Sequence, residues 1–384
     1  MKIIHCCLAA FYIDSFGYQE NILPKLHKFQ GHDVEILAST ETYIKNKLSY
    51  IKPSYYLNEY GIPVTRIRYV NYLPHLVVKK LRIYNGIKKK LEDFKPDIIF
   101  LHDVQFLSII NVVEYVKMNP KVKIYIDGHT DYGNSAKNWV SKNILHKIVY
   151  KWCAKKIEPY TNKFWGVTPL RVDFFCKVYG IDERKVDLLV LGVDDTEIDL
   201  SKKNEIRDKI RKRFKLERKF IIITGGKIDA RKKIEVLIKA VNQLEDDSVH
   251  LILFGSITEE MKIEINQLIR GPKIEYIGWL SPKATSEFFL AADLAFFPGT
   301  HSVLWEQSIG CGLPGVFRRW IGMEHVDIGG NCLFLDELSV SSIQVIILNV
   351  LRDKNLYRRL KENAEVKGPK IFSYTEIAKR AIQQ

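Results

Sequence analysis

The chain has 384 residues, more than one hydrophobic core usually serves, so two domains are expected. Hydrophobic residues make up 46% and charged residues 27%, the balance of an ordinary soluble globular chain. No stretch approaches the roughly 20 consecutive apolar residues that a membrane span needs.

Strand-like and helix-like segments alternate from end to end. The opening MKIIHCCLAAFYID reads as a buried first strand rather than a secretory leader, because no small-residue cleavage site follows it. A helical period runs from Gly17 to Phe29, followed by strands at DVEILAS and PVTRIRY. A basic helix leads to DIIFLHD, another helix to KIYIDGH, and a long helix over 136–157 to FWGVT. Near 193–205 hydrophobicity drops and charge rises, marking a seam. The scheme then repeats as KFIIITGG, HLILFGS, KIEYIGW, LAFFPG and PGVFRR, each separated from the next by a helix. Short continuous apolar runs between helices predict parallel strands covered on both faces. Two such series predict two doubly wound, Rossmann-like domains facing across a cleft. In such sheets ligands bind beyond the carboxyl ends of the strands, so the residues just after each strand are the ones to watch.

The six cysteines (Cys6, Cys7, Cys153, Cys176, Cys311 and Cys332) form no C-x-x-C pair and lie at no zinc-like spacing from histidine. Cys6 and Cys7 point to opposite faces of the first strand as core fillers. This usage fits a reducing compartment. The formal net charge is +14. Residues 1–195 carry 29 Lys and Arg against 20 Asp and Glu, and the remainder carries 30 against 25. An anionic partner is implied: a phosphorylated ligand, a membrane surface or nucleic acid.

Two segments carry chemistry. In ITGGKIDARKKIEVLIKAV a strand ends in Gly225-Gly226, Lys227 follows, and Lys232 and Lys233 open a helix. Glycine lets backbone approach a ligand, and lysines beside a helix N-terminus stabilise phosphate oxygens. The same residues would also make a solvated basic turn. In LAFFPGTHSVLWEQSIGCGLPGV a strand ends at Pro298-Gly299 and Glu306 opens a helix. Its carboxylate suits two sugar hydroxyls, and equally suits a simple capping role.

In this order the two segments resemble the C-terminal domain of GT-B glycosyltransferases of the retaining, family-4 type (glycosyl transferases group 1). That family shows G-R-L-x-x-x-K-G after the first strand of its second domain, with Arg and Lys on the donor diphosphate. Here Lys227 takes the Arg position, Lys232 the Lys position, and Lys233 replaces the family Gly. Lys for Arg turns a bidentate fork into a point charge. The family also carries two glutamates eight positions apart. Glu306 matches the second, which implies a ribose ligand, whereas Pro298 stands in place of the first. Gly299, Thr300, His301 and Ser302 occupy the loop that holds the donor sugar, so His301 or Ser302 takes over that contact. KIEYIGWLSP resembles the segment whose backbone, near Gly278 and Trp279, meets the base. AADLAFFPG and LLVLGVDD are similar to further family segments. FGYQENILPKLHKFQGHDVEILAS is similar to the family's first-domain start, with Gly17 facing the diphosphate.

The first domain offers His129 in YIDGHTDYGN and His102 in IIFLHDVQ. A strand-end histidine is usually a hydrogen-bonded structural residue. By position, His129 resembles the family histidine at the reacting face of the donor sugar, and His102 a common H-D of structural or acceptor-side role. Asp131 is a further acceptor-side candidate. The resemblance thus names His129, Lys232 and Glu306 as catalytic. It implies a chemistry of orientation and diphosphate stabilisation, with the leaving phosphate taking the acceptor proton. No Asp-x-Asp pair occurs in the chain, and the expectation is that no metal and no cofactor is bound, the nucleotide-diphosphate sugar being the substrate.

Residues 79–90, KKLRIYNGIKKK, hold six basic and no acidic residues. Residues 136–157 hold six lysines and no acid, with Val140, Ile144, Ile148 and Trp152 in one helical stripe beside Trp139. A basic amphipathic helix with Trp suits an anionic membrane face. The bland alternative packs the stripe on the sheet.

The expected protein is a hexosyltransferase-type enzyme of cell-surface polysaccharide or glycolipid synthesis, acting on a lipid-linked glycan acceptor. It is expected in the cytoplasm, peripheral on the inner membrane face. Its expected domains are 1–197 on the acceptor side, 198–370 for the nucleotide sugar, and a C-terminal helix, 371–384, packing back on the first. Rival readings are a sugar-nucleotide epimerase of the same fold, a non-catalytic glycosyltransferase-like subunit, and a nucleic-acid binder. The last lacks any recognised module and any interleaving of basic residues with stacking aromatics, so no nucleic acid is expected.

Overall fold

The structure, a computed structural model, describes residues 1–44, 47–133, 135–136 and 138–383. The chain divides into two compact units. One comprises Met1–Val190 rejoined by the residues from Ala378 on, and the other Leu191–Ile377. Gln384, inside the expected C-terminal helix, and Lys137, inside the expected basic helix, lie outside the described residues.

The first unit is built from strands β1 (Lys2–Cys7), β2 (Asp33–Ser39), β3 (Glu41–Ile44), β4 (Lys47–Tyr50), β5 (Ser54–Leu57), β6 (Pro63–Ile67), β7 (Ile98–His102), β8 (Lys123–Gly128), β9 (Lys163–Gly166) and β10 (Val186–Leu188). Eight of these form one sheet in the order β10-β9-β8-β7-β1-β2-β6-β5. All pairings are parallel except β5 with β6, where an edge strand outside the apolar runs read from the sequence is added antiparallel. The β3–β4 hairpin stands apart as its own two-stranded sheet. β1 is buried on both faces from Ile3 on. Cys6 belongs to the large core cluster and Cys7 to a smaller one, so adjacent side chains do point opposite ways.

The second unit adds β11 (Phe220–Ile228), β12 (Val249–Ile257), β13 (Ile274–Tyr276), β14 (Leu294–Phe297), β15 (Gly315–Arg318) and β16 (Cys332–Leu335). They form a fully parallel sheet in the order β13-β12-β11-β14-β15-β16. In both units the strand order reverses next to the first strand: between β1 and β7, and between β11 and β14. In open sheets of this kind ligands bind beyond the carboxyl ends of such strand pairs, where the loops diverge.

The long basic helix is not a plain α-helix. Ser141–Tyr150 is wound as a π-helix and continues as an α-helix over Lys151–Ile157. The basic stretch at 79–90 is split between the helices His75–Leu81 and Ile87–Phe94. Among the described residues no helix is long and apolar enough to cross a membrane.

Candidate functional site

In the second unit the site grows out of β11. Ile221, Ile222 and Ile223 anchor the strand in the core, and its carboxyl end carries Gly225-Gly226-Lys227 before the buried Ile228. Gly226 has φ +105°, a conformation that favours glycine, and a Cβ there would stand 2.9 Å from Leu304 Cδ1. Lys227 is exposed. The chain turns at Asp229, whose carboxylate accepts from the Arg231 backbone N–H at 3.0 Å and the Arg231 guanidinium at 2.5 Å. Lys232 then reaches across to the loop after β14, donating to Thr300 O at 2.8 Å and His301 O at 3.0 Å. Thr300 N–H answers by donating to Arg231 O at 3.1 Å. Gly299 lies flat on this turn: a Cβ would come within 2.3 Å of the Lys232 backbone. Trp320 Nε1 donates to Gly299 O at 3.1 Å, so the loop is held from two sides. Burial lowers the Lys232 ammonium to about 8, against the pull of Asp229, with Arg231 adding to the fall.

Glu306 sits in the first turn of the helix Leu304–Gly310 and is fully buried. Its Oε1 accepts from His301 Nε2 at 2.7 Å and from His325 Nε2 at 2.9 Å, while Oε2 has no hydrogen-bond partner. Burial works against the carboxylate, but the two imidazoles outweigh it and hold the group well below the usual carboxylate range. The expected ribose ligand therefore already has two protein partners, and the ring it orients, His301, is the partly exposed one. His325 has no motif around it in the sequence; it sits in a single 3-10 turn, Glu324–Val326, after β15, and only folding brings it to Glu306. Gly278 has φ +73° and its O accepts from Gly255 N–H at 2.7 Å. Trp279 beside it is 72% exposed, and Ser302 is half-buried at the start of the helix turn.

In the first unit β7 and β8 bring His102 opposite Asp127 in register. His102 Nδ1 meets Asp127 Oδ2 at 2.9 Å, Gln19 Nε2 donates to the same oxygen at 3.0 Å, and His129 Nε2 lies 3.4 Å from it. Burial pushes the Asp127 carboxyl up, yet His102 and His129 outweigh it and hold it below the usual range. Burial likewise opposes charge on His129, but Asp127 and Glu20 outweigh that and raise it to about 9. His102 is 0% exposed, and both of its ring nitrogens are engaged inside the unit, Nδ1 with Asp127 and Nε2 with His5, the hydrogen-bonded structural role that a strand-end histidine usually has. Asp131 is half-buried; its Oδ1 accepts from Gly133 N–H at 2.8 Å and its Oδ2 lies 3.3 Å from Arg171 Nε. Gly17 is exposed in the loop before the helix Gln19–Phe29. Asp127, Gln19, His5 and His27 were missed in the sequence because each sits in an element that reads as core.

His301, Glu306 and His325, and likewise His102, Asp127 and His129, place their ligand-type atoms within 4.8 Å of one another, close enough for one cation. In both sets ring nitrogens lie within 2.7–3.4 Å of the carboxylate oxygen.

Residues 205–367, most of the second unit, match the family model for glycosyl transferases group 1. No curated protein matches the chain by sequence. Among solved structures the chain resembles Anabaena Alr3699/HepE in complex with UDP, with a TM-score of 0.66 at 13% identity over 100% of this chain and 99% of that one. It also resembles a glycosyltransferase from Rickettsia africae, with a TM-score of 0.70 at 13% identity over 100% and 97%. A third neighbour is the sucrose-phosphate synthase of Thermosynechococcus elongatus, with a TM-score of 0.68 at 15% identity over 100% and 97%. The fold is the two-Rossmann-domain GT-B fold.

Proposed function

We propose that the protein is a glycosyltransferase that moves a hexosyl unit from a nucleotide-diphosphate sugar, without a metal and with retention, to a lipid-linked glycan acceptor. The observation that carries this reading is the turn at the β11–β14 switch point. There Gly226 clears the approach, Lys227 projects into solvent, and Lys232 is held at the start of a helix by the very loop that would carry the sugar. The family match falls on the same unit, and a similar structure was solved with UDP. In this reading Lys227 and Lys232 neutralise the diphosphate, and backbone at Gly278 and Trp279 borders the base. The loop Gly299–Ser302 holds the sugar, with Glu306 orienting His301 against it. Gly17, His129 and Asp131 of the first unit serve the diphosphate, the reacting sugar and the acceptor. A charged His129 stabilises negative charge as the glycosidic bond breaks, and the leaving phosphate oxygen takes the acceptor proton.

The lipid link rests on the basic helices. Trp139 is 70% exposed and Ile148 62%, and Val140, Ile144 and Trp152 are exposed as well. The stripe is turned to solvent beside Lys142, Lys147, Lys151 and Lys155, which favours an anionic membrane surface over a packed core face.

Thermal stability with UDP, GDP, ADP and CMP, with and without EDTA, tests the donor site. A midpoint raised by one nucleoside diphosphate, unchanged by EDTA and lost in Lys227→Ala and Lys232→Ala, is the expected result. No shift with any nucleotide would move the reading to a non-catalytic subunit. Salt-sensitive sedimentation with anionic but not zwitterionic vesicles, lost in Trp139→Ser with Ile148→Ser, is expected for the membrane face.

A further inference from the structure

Under β1 and β7 of the first unit runs a row of buried imidazoles. His27 Nε2 lies 2.9 Å from Ala378 O. His27 Nδ1 lies 3.0 Å from His5 Nε2, and His5 Nδ1 lies 3.1 Å from His102 Nε2. His102 Nδ1 then meets Asp127 Oδ2 at 2.9 Å. His5, His27, His102 and Asp127 are all 0% exposed. His5 and His102 sit on the same face of adjacent strands, with ring centroids 5.3 Å apart, and the helix Gln19–Phe29 brings His27 over them.

The direction of every bond in this row follows from its first one. A backbone carbonyl can only accept, so His27 Nε2 must carry a hydrogen. Burial keeps His27 neutral, lowering it to about 4, so its Nδ1 is bare and His5 Nε2 must donate to it. Burial, with His27 and His102 adding to it, holds His5 well below its ordinary value, so it too is neutral and its Nδ1 is bare. His102 Nε2 must then donate to His5. That leaves His102 Nδ1 facing a carboxylate oxygen, where a neutral ring of this tautomer would set lone pair against lone pair. One more proton is therefore needed between His102 and Asp127. Asp127 Oδ2 already accepts from Gln19 Nε2 and faces His129 Nε2, a set of donors that suits a carboxylate and not a carboxylic acid.

We infer that this row is a one-way hydrogen-bond relay that fixes His102 as an imidazolium, so that Asp127 stays a carboxylate turned toward His129. His27, His5 and His102 are positioning residues for His129. The other groups facing the row are Phe100 between the two strand histidines, His32 edge-on to His27, and Glu20 and Cys7 beside Asp127. None of these supplies a donor to His102 Nδ1. The link from His129 to sugar transfer rests on the proposed function; the relay itself does not.

Nitrogen-15 spectra of the histidine-labelled full chain decide the matter at pH 7. The expected result is His5 and His27 as neutral tautomers protonated at Nε2, and His102 protonated at both ring nitrogens. A neutral His102, or either of the other two protonated at Nδ1, overturns the relay. His27→Gln keeps an amide donor for Ala378 O and an acceptor for His5, and retains the doubly protonated His102. His27→Leu removes both and loses that signal; should it fail to fold, the parent spectrum still decides. In a transfer assay, His5→Leu is expected to lower kcat, with KM for the donor unchanged. A parent that shows the expected spectrum but transfers no sugar overturns the proposed function and leaves the relay standing. An active parent with a neutral His102 does the reverse.

Discussion

The two strand-end clusters solve the same problem, a buried carboxylate among imidazoles, with different kinds of sequence. In the second unit Lys232, Thr300, His301 and Glu306 come from two short segments, and backbone carbonyls do much of the holding. In the first unit His5, His27, His102 and Asp127 come from four separate elements, and side chains do nearly all of it. A cluster built from a contiguous motif leaves a trace in the sequence. A cluster built by strand register and a helix crossing does not.

The largest expected effect comes from removing a shared acceptor. Glu306→Ala leaves the N–H groups of His301 and His325 facing a void in the interior, and should cost about 3–5 kcal/mol of stability, measured by denaturant unfolding. A cost under about 1 kcal/mol would mean that water or a rotated His301 replaces the carboxylate, and that the cluster is not a structural unit.

Changing pH comes next, and it separates two histidines of the first unit. His129 is raised to about 9 in the fold, above its ordinary value near 6.5. Its contribution is fully present below about 6.5 and is lost as pH rises through 9, amounting to about 3 kcal/mol. His27, lowered to about 4, has the opposite sign. Below pH 6.5 the unfolded chain takes a proton that the folded chain refuses, so stability falls by about 2 kcal/mol by pH 5 from this residue alone. The thermal midpoint should thus peak near pH 6.5, and His27→Gln should flatten the acid side. An acid limb unchanged in that variant would show that the row does not set it. Lys232 moves in the same range but reports on binding: as pH rises from 7 to 9 it loses its proton, and nucleoside diphosphate affinity should fall about tenfold by calorimetric titration.

Much of the fold was legible because doubly wound domains write themselves locally. β1, β2, β7, β8, β11, β12 and β14 each fall on a run of apolar residues between helical segments, and burial on both faces demands just that. The β3–β4 pair leaves little trace, since Glu41–Ile44 and Lys47–Tyr50 are each only four residues long and largely exposed away from Glu41 and Thr42. The π-helical winding of Ser141–Tyr150 leaves no pattern distinct from an α-helix in a single sequence. Lys232 was placed in its turn by motif spacing alone. His102 reads in the sequence as a strand-end histidine of structural or acceptor-side role, and a strand-end position alone does not name its partners, His5 and Asp127. The bonds from His5 and His27 come from β1 and a helix that sequence reading assigned wholly to packing.

The smallest effect tests the one place where the second unit departs from its motif at a cost. Lys233 stands where the resembling family has glycine, and its backbone is left-handed, at φ +54° and ψ 27°. A side chain there costs about 1–2 kcal/mol, because Cβ crowds the following carbonyl oxygen. Its ammonium lies 4.0 Å from Glu235 Oε1, at the limit of an ion pair, and its side chain is 44% exposed, so that pair returns little. Glycine would relieve the crowding but free the unfolded chain by about 0.5–1 kcal/mol, leaving a net gain of about 0.5 kcal/mol for Lys233→Gly. Lys233→Ala keeps the Cβ and should gain nothing, which separates backbone strain from loss of charge. If both variants instead lose stability equally, the Lys233 side chain is holding the turn. If Lys233→Gly is more stable yet binds nucleoside diphosphate less tightly, the strained lysine contributes charge to the phosphate site, and the departure from the motif is functional.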